Sequence, residues 1–104
     1  MNREEILEKI KQTIYEIEPD AEVVLYGSRA RDDFSHDSDW DLLILVEGVL
    51  GKKRVNEIRH HLYQIEWDYG EVISSIVRTK EEWNSAIYQV MPFHKRVESE
   101  GIRV

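Results

Sequence analysis

Apolar residues recur at helical spacing near the start of the chain, where Leu7, Ile10, Ile14 and Ile17 lie three or four apart until Pro19 forbids continuation. Asn2 followed by Glu5 has the form of a capping box, so the pattern predicts a helix over residues 3–18. Glu22 to Tyr26 carries the β-favouring run Val23-Val24-Leu25-Tyr26, which Gly27 ends. Residues 28–38 are rich in Ser, Asp and Arg, with only Ala30 and Phe34 apolar, and read as a short helical turn followed by a loop. Trp40 to Val46 is nearly all apolar, as expected of a central strand covered on both faces.

In the second half, Val55, Ile58, Leu62, Ile65 and Tyr69 mark a long amphipathic helix that Gly70 can end in a left-handed cap. Val72 to Arg78 reads as a third strand. Thr79 and Glu82 repeat the capping-box pattern and open a helix that carries Trp83 and Ile87 and stops before Met91-Pro92. Pro92 at a first helical position, Phe93 and Val97 four apart, and Gly101 predict one last short helix. The expected architecture is α/β: a small mixed sheet of three or four strands covered by helices, as a single domain over residues 1–104.

Composition narrows the function classes. With no cysteine, a disulfide framework, a thiolate zinc site and a cysteine nucleophile are excluded together. Fourteen Lys plus Arg against 21 Asp plus Glu give a formal charge of -7, which disfavours general nucleic-acid binding. The first residues lack a signal-peptide pattern and no apolar run is long enough to span a bilayer, so the expectation is a soluble, cytoplasmic protein with no membrane role.

The candidate chemistry lies between residues 25 and 42. Side chains at i and i+2 of a strand share a face, so Asp39 and Asp41 stand side by side while Trp40 points away. Two carboxylates that close need a proton or a cation between them, and Mg²⁺ with oxygen ligands suits them, its remaining ligands coming from a phosphorylated molecule. Gly27 lets backbone approach a phosphate, Ser28 offers a hydroxyl and an N–H, and Arg29 and Arg31 can neutralise the outer phosphates. Taken singly, Asp-x-Asp and Gly-Ser occur by chance as solvated strand ends and turns. Their order along the chain is the more specific signal.

Leu25-Tyr26-Gly27-Ser28-Arg29-Ala30-Arg31, followed by Asp37-Ser38-Asp39-Trp40-Asp41-Leu42, resembles the minimal nucleotidyltransferases of the polymerase-β-like superfamily. The resemblance is strongest over residues 23–46 and includes the spacing of Gly-Ser, ten residues, Asp-x-Asp. It implies transfer of a nucleoside monophosphate, commonly AMP from ATP, to a hydroxyl, with two magnesium ions held by Asp39 and Asp41 and the triphosphate at Gly27 and Ser28. It also implies a helical HEPN-type toxin as partner, which some small members neutralise by adenylylating a tyrosine.

Two departures stand out. Asp32 occupies a position that is often glycine in the family. Active members use a third carboxylate from a neighbouring strand as metal ligand and general base, whereas Val72 to Val77 contains none. Glu71 is the nearest candidate for that catalytic role, with Asp68 and Glu66 further back. If Ser74 or Ser75 takes the position, a degenerate module that binds a helical partner without chemistry becomes the alternative.

Other polar residues favour plainer readings. His60 and His61 are adjacent on a helix, too far apart in angle to share a metal, and are expected to face solvent. His36 reads as a loop residue. Lys52-Lys53-Arg54 reads as a solvated helix start, and Trp67, Tyr69 and Trp83 as core or interface residues.

Overall fold

The computed structural model describes residues 3–31 and 39–104. Its elements run α1 (Arg3–Ile17), β1 (Glu22–Tyr26), α2 (Ser28–Arg31), β2 (Trp40–Val46), α3 (Lys52–Tyr69), β3 (Ile73–Thr79), α4 (Lys80–Trp83), α5 (Ala86–Gln89), α6 (Pro92–Glu100) and β4 (Ile102–Arg103). The sheet order is β3-β2-β1-β4. β1 pairs antiparallel with β2 and β4, whereas β2 and β3 are parallel, the connection between them being α3. The fold is thus mixed α/β with a four-strand sheet, as the alternation of patterns predicts.

Strand periodicity divides the core in two. Val23 and Leu25 of β1, Trp40, Leu42, Ile44 and Val46 of β2, and Ile73 and Val77 of β3 face α1 and α3, where they meet Ile6, Ile10, Ile14, Ile58, Leu62 and Ile65. On the opposite face, Val24, Tyr26, Leu43 and Leu45 pack with Trp83 and Val97 and with the partly buried Ile76, Tyr88 and Phe93. The central strand is buried on both faces, which is why Leu42 to Val46 shows no alternation.

Several predicted ends have the expected chemistry. Gly70 closes α3 at φ 67° and its N–H donates to the Glu66 carbonyl. Thr79 and Glu82 form a complete capping box, and Pro92 opens α6. The capping box at Asn2 falls outside the described residues.

Two features differ from the pattern reading. The helix expected after Thr79 is two short helices, because the Ser85 hydroxyl accepts from the Tyr88 N–H and starts a second one. The tail after Gly101 forms β4 against β1, and the Val104 N–H donates to the Val23 carbonyl at 2.9 Å. A two-residue strand has too little pattern to be recognised alone. No helix among the described residues is long and apolar enough to cross a membrane.

Candidate active site

The face of the sheet that packs on α6 carries the acidic pair. Asp41 follows Trp40 in β2, so it points away from α1 and α3, and its Cα partners are Tyr26 in β1 and Ser74 in β3. Asp39, just before the strand, is exposed, and one of its oxygens accepts from the Ser74 hydroxyl at 3.0 Å. Asp39, Asp41 and Ser74 therefore stand together at the end of two parallel strands.

Gly27 closes the site from the β1 side. Its φ is +75°, and a methyl group added there would lie 2.4 Å from the Asp41 Oδ2. Glycine is required twice over, by the left-handed backbone and by the carboxylate against it. The Gly27 carbonyl then accepts from the N–H groups of Ala30 and Arg31 at 3.1 and 3.3 Å, turning the chain into α2 with Ser28 at its start. Gly27 and Ser28 are thus brought to Asp41 by the turn.

The electrostatics follow from that crowding. Burial, and then the charge of Asp39, push the Asp41 carboxyl above its ordinary value, while Arg96 and Arg31 act in the opposite sense. Burial and Asp41 likewise raise the Tyr26 phenol, against Arg96. Two carboxylates and a hydroxyl on one face suit a hard, oxygen-liganded divalent cation. Among the described residues no group of three or more His, Asp or Glu side chains could hold a metal, so such an ion would complete its shell from water and ligand oxygens.

The two arginines of the Gly-Ser turn part company. Arg31 lies on the acidic side, where its Nη1 donates to both carboxylate oxygens of Glu100 at 3.2 and 3.3 Å. Arg29 turns inward and is 5% exposed. Its guanidinium carbon lies 4.4 Å from the centroid of the Trp40 ring, and its Nη2 donates to Glu71 at 3.4 Å. Glu71 also accepts from the Trp40 Nε1 at 3.4 Å. Arg29 and Glu71 thus meet on the Trp40 side of β2, across the sheet from Asp39 and Asp41.

Arg96, whose charge acts on both Asp41 and Tyr26, is a neighbour of the acidic pair that the pattern of the sequence does not single out. Phe93 and Val97 mark the buried side of α6, yet nothing local reveals that this helix crosses the sheet beside Asp41. Of the remaining candidates, His60 is exposed and Trp83 is buried, while Trp67 is 81% exposed. Arg54 ties α3 to Glu18, the residue that follows α1. Asp32, His36, Asp37 and Ser38 lie outside the described residues.

Comparison with known proteins bears on the fold and the family. A candidate protein adenylyltransferase of Methanocaldococcus jannaschii is 33% identical over 79 residues, covering 76% of this chain and 72% of that protein. A crystal structure of a toxin-antitoxin with AMP-PNP superposes with a TM-score of 0.64 at 15% identity, covering 92% of this chain and 69% of the other. A mutant of the toxin-antitoxin MntA-HpeT gives 0.57 at 15% identity, covering 100% and 72%. These two structures speak for the fold. The model of the nucleotidyltransferase domain matches residues 7–103, nearly the whole length, and the chain belongs to that family.

Proposed function

We propose that this chain is a magnesium-dependent nucleotidyltransferase that moves AMP from ATP to a hydroxyl acceptor, a tyrosine of a helical HEPN-type partner. The observation that carries this reading is the placement of Gly27 against the Asp41 carboxylate, with Asp39 beside it. The name of the M. jannaschii relative supports adenylyl transfer to protein, and the toxin-antitoxin neighbours, one bound to AMP-PNP, support ATP and a protein partner.

In this reading Asp39 and Asp41 hold the metal, which supplies charge neutralisation of the triphosphate when bound. Gly27 and Ser28 seat the phosphates, and Arg31 offsets their charge. The acceptor oxygen bonds to the α-phosphorus as the bond to the β-phosphate oxygen breaks, and pyrophosphate leaves. The acceptor proton passes to solvent, because Ser74, opposite Asp41, offers no carboxylate to take it.

A second reading is favoured by that same serine: a degenerate module that binds its partner without chemistry. Incubation with α-labelled ATP, magnesium and a co-expressed HEPN-type protein separates the two. Transfer of label to a tyrosine, lost in Asp39→Asn/Asp41→Asn, is the expected outcome. Tight binding of nucleotide and partner without label transfer would leave only the binding module.

A further inference from the structure

We propose that Arg96 of α6 is a ligand-binding residue that, together with Arg31, takes the pyrophosphate portion of a nucleoside triphosphate; this rests on the nucleotidyltransferase reading above. Arg96 enters the site from an element remote in sequence from the Gly-Ser turn. Its guanidinium carbon lies 5.8 Å from the centroid of the Phe93 ring, and Phe93 meets Tyr26 edge-on at 5.4 Å. Tyr26 is the register partner of Asp41, so Arg96, Phe93 and Tyr26 follow one another on the face of the sheet that carries Asp41.

The helix that bears it is firmly seated. Val97 is buried against the sheet, the Gly101 N–H donates to the Val97 carbonyl at 2.7 Å, and Trp83 donates its Nε1 to Glu98 at 2.8 Å. A Cβ at Gly101 would lie 2.7 Å from a methyl of Val24, so the end of α6 sits directly on β1. Arg96 is therefore an exposed cation on a fixed base.

Glu100 joins the two cations. It accepts from Arg31 at hydrogen-bond distance, whereas the Arg96 Nε lies 3.9 Å away, beyond hydrogen-bond length. Glu100 holds Arg96 by charge, and that contact leaves its planar fork of donors uncommitted. Exposed ion pairs of this kind contribute little to stability. Arg31 and Arg96 thus face one carboxylate, Glu100, and a multiply charged anion entering beside them would meet two guanidinium groups. A triphosphate held beside Asp39 and Asp41 carries outer phosphates for these guanidinium groups, which a monophosphate lacks.

Equilibrium binding of ATP, AMP and inorganic pyrophosphate, each with magnesium, to the full chain and to Arg96→Gln and Arg96→Lys tests this assignment. Arg96→Gln is expected to weaken ATP and pyrophosphate by about ten-fold or more and to leave AMP within about two-fold. Arg96→Lys, which keeps the charge and loses the fork, is expected to fall between. An ATP-to-AMP affinity ratio unchanged in both variants would overturn the proposal alone. Failure of the wild-type chain to bind magnesium-ATP would overturn the nucleotidyltransferase reading and this proposal with it.

Discussion

The α-carbon of Gly27 lies against the carboxylate of Asp41, so close that a methyl group there would stand 2.4 Å from Oδ2. This contact joins the turn after β1 to the acid in β2, two parts of the chain linked by register as well, since Tyr26 is the partner of Asp41. Changing either residue disturbs the other.

Gly27→Ala is expected to destabilise the chain by about 1–3 kcal/mol through the φ +75° backbone and the clash. It should also displace Asp41 and abolish magnesium-dependent nucleotide binding. Denaturant unfolding together with nucleotide titration checks both effects, and a variant with full affinity would show that the contact is dispensable.

Asp41→Asn is expected to raise the Tm of the metal-free chain at neutral pH. The native carboxyl titrates above its ordinary value of 3.8, through burial first and Asp39 second. Its contribution to stability is fully present below 3.8 and is lost as pH rises through the higher native value. The wild type should therefore fall behind the variant as pH climbs, and added magnesium should stabilise the wild type alone. Parallel pH profiles for the two proteins would refute this.

Glu71→Gln separates two possible roles of that acid. Because Glu71 binds Arg29 and Trp40 across the sheet from the acidic pair, the substitution should cost on the order of 1 kcal/mol by removing one charged partner of a buried guanidinium. Magnesium and nucleotide affinity should persist. Unchanged stability with lost metal binding would instead assign Glu71 to the metal.

Ser74→Asp places a carboxylate opposite Asp41 and beside Asp39, where the hydroxyl now donates. If proton removal limits transfer, the rate of label transfer should rise, within the roughly 10²–10⁴-fold that a positioned base supplies. No gain in single-turnover rate would mean that another step is limiting.

Much of this architecture is legible in the sequence because its signals are local. The buried run Leu42 to Val46, the spacing from Val55 to Tyr69, and the caps at Gly70 and Thr79 each report a nearby physical cause. The proximity of Asp39 and Asp41 follows from strand geometry. The destinations of Arg29 and Arg31 do not, since two residues apart on a four-residue helix one turns to Trp40 and the other to Glu100. The charge of Arg96 acts on Asp41 only because α6 packs on a sheet assembled from distant strands, and β4 exists only because its two residues meet β1.

Calorimetric titration of ATP into wild type and Asp39→Asn/Asp41→Asn, with magnesium and with EDTA, tests the central claim most directly. The account predicts binding that requires magnesium and weakens at least about ten-fold in the double variant. Equal affinity in EDTA, or undiminished affinity in the variant, would contradict it.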